Sequence, residues 1–233
     1  LIDSIAKVNK NIAVILISGN AISMPWLSSV KTVMQSWYLG SEAGNAIASI
    51  LSGEVNPSGK LPFTFPKKLK DNGAHYYGEL SYPGNGETQF YKEDILVGYR
   101  WHDTKKIKPN FAFGHGLSYA SFDLSGINSN KKTYSIADTI KISCEIKNTG
   151  KVKGSEVVQV YVGKKNSKVK RALKELKGFK KIYVLKGESK KIEIKIDVNK
   201  LAFYDEKKSD WRIEKGEYII YVGNASDLSL IHI

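Results

Sequence analysis

The segment from Gly98 to Tyr119 divides the chain into two parts with different hydrophobic patterns. Before it, continuous apolar runs alternate with stretches of helical spacing, and glycine and proline stand at the joints. After it, apolar and polar residues alternate with period two, which is typical of strands with one buried face. The segment itself is rich in aromatic residues and glycine. We therefore expect two regions joined by a packed hinge rather than by a flexible linker.

The first region, residues 1–120, is predicted to be α/β. Asn11–Ser18 is one apolar run without alternation, as expected of a strand buried on both faces of a parallel sheet. Pro25 suits the first turn of a helix, whose apolar stripe would consist of Trp26, Leu27, Val30, Val33 and Met34. The alternative is that Val33–Tyr38 forms a short strand. A second helix is predicted within Ser41–Gly53, with Ser41 as its N-cap and Gly53 at the position after its C-cap.

The predicted strands of this region are too few for a complete doubly wound sheet, even with a short strand at Leu61–Phe65. We therefore expect further strands upstream. Leu1–Ile5 has the pattern of a helix already under way and not of a signal peptide, so the chain is expected to begin after the start of its gene. Residues 67–92 are irregular, and a loop of that length is usually functional or packed on a neighbour.

The second region, residues 121–233, is predicted to be an immunoglobulin-like or fibronectin-III-like sandwich of seven strands. Its alternating segments are separated by turn signals such as Asn148–Gly150 and Lys186–Glu188. The clearest strands are Ile140–Lys147, Glu156–Val162, Lys191–Val198 and Glu217–Val222. Cys144, the only cysteine, lies on the apolar face of the first of these, so we expect a buried core thiol and no internal disulfide.

The net charge of +13 does not by itself indicate nucleic-acid binding. Residues 1–120 carry 12 basic and 9 acidic side chains, and residues 121–233 carry 24 and 14. In Lys190–Val198 the charges of both signs alternate with aliphatic residues, which is typical of the solvated face of a sheet. We therefore expect no nucleic-acid partner. The chain has no apolar run of about 18 residues, so no membrane-spanning helix is expected either.

A search of the first region for catalytic motifs finds none that is complete. Its histidines, His75, His102 and His115, have no metal-ligand spacing, and packing is the favoured role for His115. Ser18–Asn20 lacks the spacing of a phosphate-binding loop, and Gly40–Gly44 does not place its serine as a nucleophile elbow does. A glycosidase pair could be drawn only from acids whose spacing selects no two of them: Glu42, Glu54, Glu79, Glu87, Glu93 and Asp103.

Nine short motifs do, however, occur in the order typical of one enzyme family. They are Val14–Gly19, Met24–Trp26, Trp37–Gly44, Asn56–Pro66, Gly98–Arg100, Phe113–Tyr119, Asn148–Gly150, Glu156–Tyr161 and Glu175–Phe179. With these motifs the chain resembles the C-terminal half of glycoside hydrolase family 3, which contains exo-acting β-glucosidases, β-xylosidases and N-acetylglucosaminidases. The resemblance implies the end of an α/β-sandwich domain, residues 1–120 with the linker, followed by a fibronectin-III-like domain, residues 121–233.

The resemblance also implies where the chemistry lies. In the family, an aspartate nucleophile lies on an N-terminal (β/α)₈ barrel, and the acid/base glutamate lies in a loop upstream of the segment that matches Leu1 and Ile2. Neither motif is present, so no catalytic, cofactor-binding or metal-binding residue is assigned to this chain. We expect a scaffold that works with the barrel of the same enzyme or of a partner chain, on an oligosaccharide or β-glucoside substrate.

Three hypotheses follow for the function. The first hypothesis, that the chain is a portion of a β-glycosidase, predicts a broad exposed apolar surface on the α/β region. Under this hypothesis the tyrosine-rich loop, residues 75–92, would reach the cleft or the barrel. A non-catalytic carbohydrate- or surface-binding module predicts an exposed aromatic row, for which Trp211 with Tyr204 or Tyr221 is the candidate. A binder of anionic polymers predicts salt-dependent retention on heparin.

Overall fold

The computed structural model describes residues 1–227 and 229–230. The first region combines a short parallel sheet with small helices, as predicted. Its two strands pair in parallel with Val14 opposite Val33. The bounds of its elements, in chain order, are α1 Ile2–Val8, β1 Ala13–Leu16, β2 Thr32–Gln35, α2 Ala43–Leu51, α3 Gly73–Tyr76 and α4 Tyr99–Lys105.

The helix predicted after Pro25 is wrong. Only a 3₁₀ turn, Leu27–Ser29, forms there, and the chain then enters β2. Val33 and Met34 were expected on a helical stripe, but they take part in the parallel ladder with β1, where β-branched residues pack well. The strand alternative for the following residues is therefore correct, although it begins at Thr32.

Three local predictions of this region are also corrected. Ser41 lies in a 3₁₀ turn, Gly40–Glu42, and α2 starts only after it, so Ser41 is not its N-cap. Leu61–Phe65 makes one bridge, Phe65 to Phe111, rather than a strand. β1 is mostly half-buried, because β2 is its sole sheet neighbour among the described residues. Gly53, with φ of +81°, follows the C-cap of α2 as predicted.

Aromatic side chains form the centre of this region's core. Phe65 is 1% exposed and stacks on Phe63, at 5.6 Å between ring centroids. Trp37 and Phe111 contact the edges of this pair. Leu16 and Met24 pack on the same cluster. The apolar strand β1 and the Phe-rich segment thus share one core.

The second region is a sandwich of two antiparallel sheets with seven strands in its described part, as predicted. One sheet has the order β3-β4-β7 and the other β11-β10-β5-β6, and a separate hairpin is formed by β8 and β9. The strands are β3 Phe122–Ser129, β4 Thr139–Asn148, β5 Gly154–Lys164, β6 Glu175–Val184, β7 Ser189–Asp197, β8 Phe203–Asp205, β9 Asp210–Arg212, β10 Tyr218–Gly223 and β11 Ser229–Leu230.

The sandwich core is made of alternate aliphatic residues from both sheets. Ile146 of β4 and Val158 of β5 are fully buried. Cys144 lies in this core as expected, and burial raises the pKa of its thiol to about 11. Inward-facing residues at every second position, such as Ile192, Ile194 and Ile196 of β7, explain why the period-two pattern was readable in the sequence.

Truncation of a core side chain tests this packing. Ile146→Ala removes three buried carbons and is expected to lower the free energy of unfolding by about 2–5 kcal/mol. Ile136→Ala is the matched control, because Ile136 is 68% exposed, and it should change stability by less than about 0.5 kcal/mol. Equal effects of the two variants in urea denaturation would contradict the assigned core.

Candidate functional site

The residues proposed for chemistry do not converge on one site. Within residues 1–227 and 229–230, no group of three or more His, Cys, Asp or Glu side chains could hold a metal ion. His115 stacks on Phe111 at 5.2 Å, in the packing role favoured from the sequence. His102 is buried, its Nδ1 lies 3.0 Å from the carbonyl of Ile107, and burial lowers its pKa. His75 packs against the ring of Tyr82.

The two loop motifs are closed by neighbouring side chains. Ser18 Oγ donates to the carbonyl of Asn20, and the Gln35 amide donates to the carbonyl of Ser18 at 2.8 Å. A side chain at Gly19 would meet the ring of Tyr38, so little space is left there for a phosphate. In the second motif, the Glu42 carboxylate accepts a hydrogen bond from Asn45 rather than facing a serine nucleophile.

One of the six candidate acids, Glu93, is buried, and a second, Asp103, is half-buried in a different environment. Glu42, Glu54, Glu79 and Glu87 are exposed. Glu93 is 8% exposed and packs beside Gly73 and Trp101, in the first region. Asp103 instead faces Lys174 of the second region. No contact between two of these acids occurs in the described part of the chain.

The half-buried Asp103 and the buried Lys174 form an ion pair between the two regions. Their Oδ2 and Nζ atoms are 3.6 Å apart, beyond hydrogen-bond distance. The Lys174 ammonium also lies over the rings of Tyr161 and Tyr221, at 5.7 and 5.3 Å from their centroids. Burial raises the pKa of Asp103 to about 6, and the attraction of Lys174 opposes this shift only in part. The junction thus contains a titratable group within the range of ordinary buffers.

The hinge segment is packed, as the sequence predicts. Tyr99 of α4 stacks on Phe113 at 4.8 Å and contacts the edge of Tyr161 on β5. Gln159 of β5 donates to the carbonyls of Gly114 and Asn224. Gly114 has φ of +80°, and a Cβ there would overlap the Gln159 amide. Glycine at this position therefore satisfies both a turn and a close approach between the two regions.

Asn56, which opens the Asn-Pro-Ser-Gly motif, connects the regions by hydrogen bonds. Its Nδ2 donates to the carbonyl of Lys153 at 2.9 Å, and its Oδ1 accepts from Ser118 Oγ and the Tyr119 amide. Nearby, Lys60 and the buried Glu156 form an ion pair at 2.6 Å. This motif therefore has a structural role, which sequence spacing alone did not indicate.

The exposed large hydrophobic side chains are concentrated in the first region. Of the 28 such residues in the described part of the chain, 19 lie within residues 1–120 and nine in the sandwich. The glycosidase hypothesis predicts this bare apolar surface. A group of six lies in the tyrosine-rich loop, residues 75–92: Tyr76, Tyr77, Leu80, Tyr82, Phe90 and Tyr91.

The aromatic row considered for a binding module is only a pair. Tyr204 and Trp211 are cross-strand partners of the β8–β9 hairpin, with centroids 5.6 Å apart, and are 51% and 67% exposed. Tyr221 does not join them, because its ring lies under the Lys174 ammonium in the junction. Of the two alternatives, Tyr204 is therefore the partner of Trp211.

Removing the Asn56 side chain is expected to weaken the junction. Asn56→Ala deletes three hydrogen bonds, and we expect a loss of about 1–3 kcal/mol in the free energy of unfolding. The control is Asn199→Ala, because Asn199 is exposed and should change stability by less than about 0.5 kcal/mol. Urea denaturation monitored by tryptophan fluorescence measures both, and an unchanged midpoint for Asn56→Ala would contradict the connecting role.

The Asp103 pair predicts a defined pH dependence. The folded-state pKa, about 6, lies above the ordinary value of 3.8, so the folded chain binds more protons between these values. The stability contributed by protonated Asp103 is therefore present below pH 4 and lost as pH rises through 6. Wild type should lose on the order of 2 kcal/mol relative to Asp103→Asn over this window. Equal slopes for the two proteins would refute this, and Asp123→Asn, on an exposed strand face, controls for charge removal.

Comparison with known proteins agrees with this architecture. Residues 1–119 match the family model for the glycosyl hydrolase family 3 C-terminal domain, and residues 156–226 match a fibronectin type III-like domain. No helix in the described part of the chain is long and apolar enough to span a membrane.

Similar proteins cover nearly all of this chain, but this chain covers little of them. The β-glucosidase BoGH3A of Bacteroides ovatus is 48% identical over 97% of the chain, which spans 30% of that protein. The thermostable β-glucosidase B of Acetivibrio thermocellus is 44% identical, with 97% and 29% covered. The crystal structure of DesR, a β-glucosidase from Streptomyces venezuelae in complex with D-glucose, superposes with a TM-score of 0.93 at 36% identity, over 100% of this chain and 29% of that one. The chain therefore belongs to glycosyl hydrolase family 3, in which it corresponds to the C-terminal part.

Proposed function

We propose that this chain is the C-terminal portion of a retaining, exo-acting β-glucosidase that hydrolyses terminal β-linked sugars. The observation that carries the proposal is that nearly the whole chain matches two β-glucosidases, over about 30% of the length of each. In this proposal residues 1–120 complete the family's α/β domain, and residues 121–233 form its fibronectin-III-like domain. The substrate is a β-glucoside or oligosaccharide.

The catalytic carboxylates of the proposed enzyme lie outside this chain. A retaining glycosidase needs a nucleophile and an acid/base about 5 Å apart. Asp103 and Glu93 of this chain have other surroundings, since Asp103 faces Lys174 and Glu93 packs beside Trp101. The nucleophile would come from an N-terminal barrel, of the same enzyme or of a partner chain, and the acid/base from the upstream part of the α/β domain.

The contribution of this chain is to hold that α/β domain in place. The parallel pair β1–β2 offers its free edge to further strands, and the aromatic core around Phe65 supports it from one side. The sandwich then fixes the other side through Asn56, Gln159 and Lys174. Rigid support of this kind keeps catalytic groups in their productive geometry.

A second candidate function is a non-catalytic carbohydrate-binding module. The exposed Tyr204–Trp211 pair favours it, because aromatic faces pack against pyranose rings. In affinity electrophoresis on β-glucan gels, Trp211→Ala should abolish retardation if this is the function. Unchanged migration of the wild-type chain would argue against it. The same pair is also accounted for as a cross-strand contact that stabilises a two-stranded hairpin.

The activity of the complete gene product tests the leading proposal. The protein that the source organism makes should have a denatured mass well above the 26.0 kDa of this chain and should hydrolyse p-nitrophenyl β-D-glucoside. The purified 233-residue chain should release no p-nitrophenol above the buffer rate.

Two results would contradict the proposal. One is hydrolysis by the purified chain itself, because its buried acids would then have to act as catalysts. The other is a native product of about 26 kDa that copurifies with no barrel-bearing chain, which would favour the binding module.

A further inference from the structure

The tyrosine-rich loop, residues 75–92, is a bare apolar surface on an otherwise ordered backbone. Tyr91 is 73% exposed, Tyr76 57% and Tyr82 51%, and Leu80 and Phe90 are nearly as exposed. Isolated exposed hydrophobic residues are normal on a protein surface, but a contiguous group marks an interaction site. Of the six large apolar side chains in the loop, Tyr76 and Tyr77 contact each other, and a backbone hydrogen bond brings Phe90 beside Leu80. This clustering marks the loop as a candidate interaction surface.

The backbone of this loop is held by its own hydrogen bonds. Phe90 donates to the carbonyl of Leu80 at 3.0 Å, and Gly84 to that of Glu79 at 2.8 Å. The Asn85 side chain accepts from the amides of Glu87 and Thr88. The loop surface is therefore formed before any partner binds, which lowers the entropic cost of association.

Trp101 of α4 is buried and contacts the start of the loop from the interior of the protein. It is 1% exposed, and its indole N–H donates to the carbonyl of Asp71 at 3.0 Å. The rings of Tyr76 and Tyr77 contact its faces at 5.1 and 5.7 Å between centroids. These two tyrosines are thus fixed in place while a large part of each stays in contact with solvent.

Two buried polar groups in this segment lack partners within the described chain. Glu93 is 8% exposed, and its Oε2 accepts no hydrogen bond from any described residue. Ser81 is 2% exposed, and its Oγ is likewise without a partner in that part of the chain. A buried carboxylate that has no donor is costly, whereas one that meets a cationic donor is not. Glu93 lies beside Trp101, which Tyr76 and Tyr77 of the loop contact, so an acceptor that has no donor in the described chain lies next to the exposed apolar side chains.

The chain spans about 30% of the length of its β-glucosidase relatives. An apolar surface within an obligate assembly is covered by its partner, and the remainder of such an enzyme is the longer part of the protein from which that cover would come. A donor from that partner would supply the hydrogen bond that the Glu93 carboxylate lacks in the described chain.

We propose that the loop of residues 75–92 is the docking surface for the N-terminal portion of the enzyme, with Glu93 as the acceptor for a basic side chain of that portion. This inference rests on the proposed function, because the proposed function supplies the identity of the partner. Glu93 acts here in positioning and not in catalysis.

Hydroxyl-radical footprinting of the wild-type complete gene product tests the docking surface. Tyr82 and Tyr204 are a matched pair, because each is 51% exposed in this chain and each contacts one neighbouring ring. Each tyrosine's oxidation rate is divided by its rate in the urea-unfolded protein. We expect the normalised rates of Tyr82 and Tyr91 to be at least about fivefold below that of Tyr204.

The outcomes separate this inference from the proposed function. Oxidation of Tyr82 and Tyr91 as fast as that of Tyr204 overturns the inference. So does shielding that is confined to oligomeric fractions, which indicates a second copy, or shielding that needs added cellobiose, which indicates a sugar. Hydrolysis of p-nitrophenyl β-D-glucoside is measured on the same sample. If the loop is shielded but the protein is inactive, the docking inference stands and the proposed function is rejected. If the loop is oxidised freely but the protein is active, the docking inference is rejected and the proposed function stands.

The sign of a melting-temperature shift tests Glu93. If a basic partner pairs with it, Glu93→Gln in the complete protein leaves that cation unpaired and should lower the midpoint by at least about 2 °C. If nothing pairs with Glu93, the same substitution removes a buried unpaired charge and raises the midpoint or leaves it unchanged. That result overturns the role of Glu93 as acceptor for a basic side chain. Glu79→Gln is the control, because Glu79 is exposed in the same loop.

Discussion

Burial of both faces of β5, Gly154–Lys164, is the constraint on which the rest of the structure depends. One face, with Val158 and Val160, forms the centre of the sandwich core. The other face, with Gln159 and Tyr161, is covered by the hinge segment of the first region. A central strand that is apolar on one side and satisfied by hydrogen bonds on the other cannot be exposed without a large cost, so the two regions are held as one scaffold.

This arrangement explains why the candidate catalytic residues are structural. Asp103 and Lys174 face each other across the same junction, and the rings of Tyr161 and Tyr221 also lie against the Lys174 ammonium. His115 supports the turn that brings Gly114 against Gln159. Once these groups are used in packing, the exposed apolar side chains of the first region remain, among them those of the tyrosine-rich loop, which begins beside Trp101.

Sequence reasoning succeeded where one local pattern decides the structure. The strands around Ile146 and Ile194 were predicted because their side chains alternate between a core and water, and that period is visible in the sequence. It failed where a neighbour distant in sequence decides. Val33 and Met34 fit a helical stripe as well as a strand, and pairing with β1 selected the strand. Ser41 fits a cap, but the helix starts later because a 3₁₀ turn precedes it.

The sequence by itself determined the two regions, the sandwich strands, the buried thiol of Cys144 and, through its ordered motifs, the family. Each of these depends on residue type at short spacing, and short spacing is what a chain displays directly. Only the tertiary structure decided which acids are buried, that Asn56 joins the two regions, and that Glu93 Oε2 and Ser81 Oγ have no hydrogen-bond partner within residues 1–227 and 229–230. Burial and hydrogen-bond satisfaction depend on residues far apart in sequence, such as Asp103 and Lys174, and no local pattern records which of them will meet.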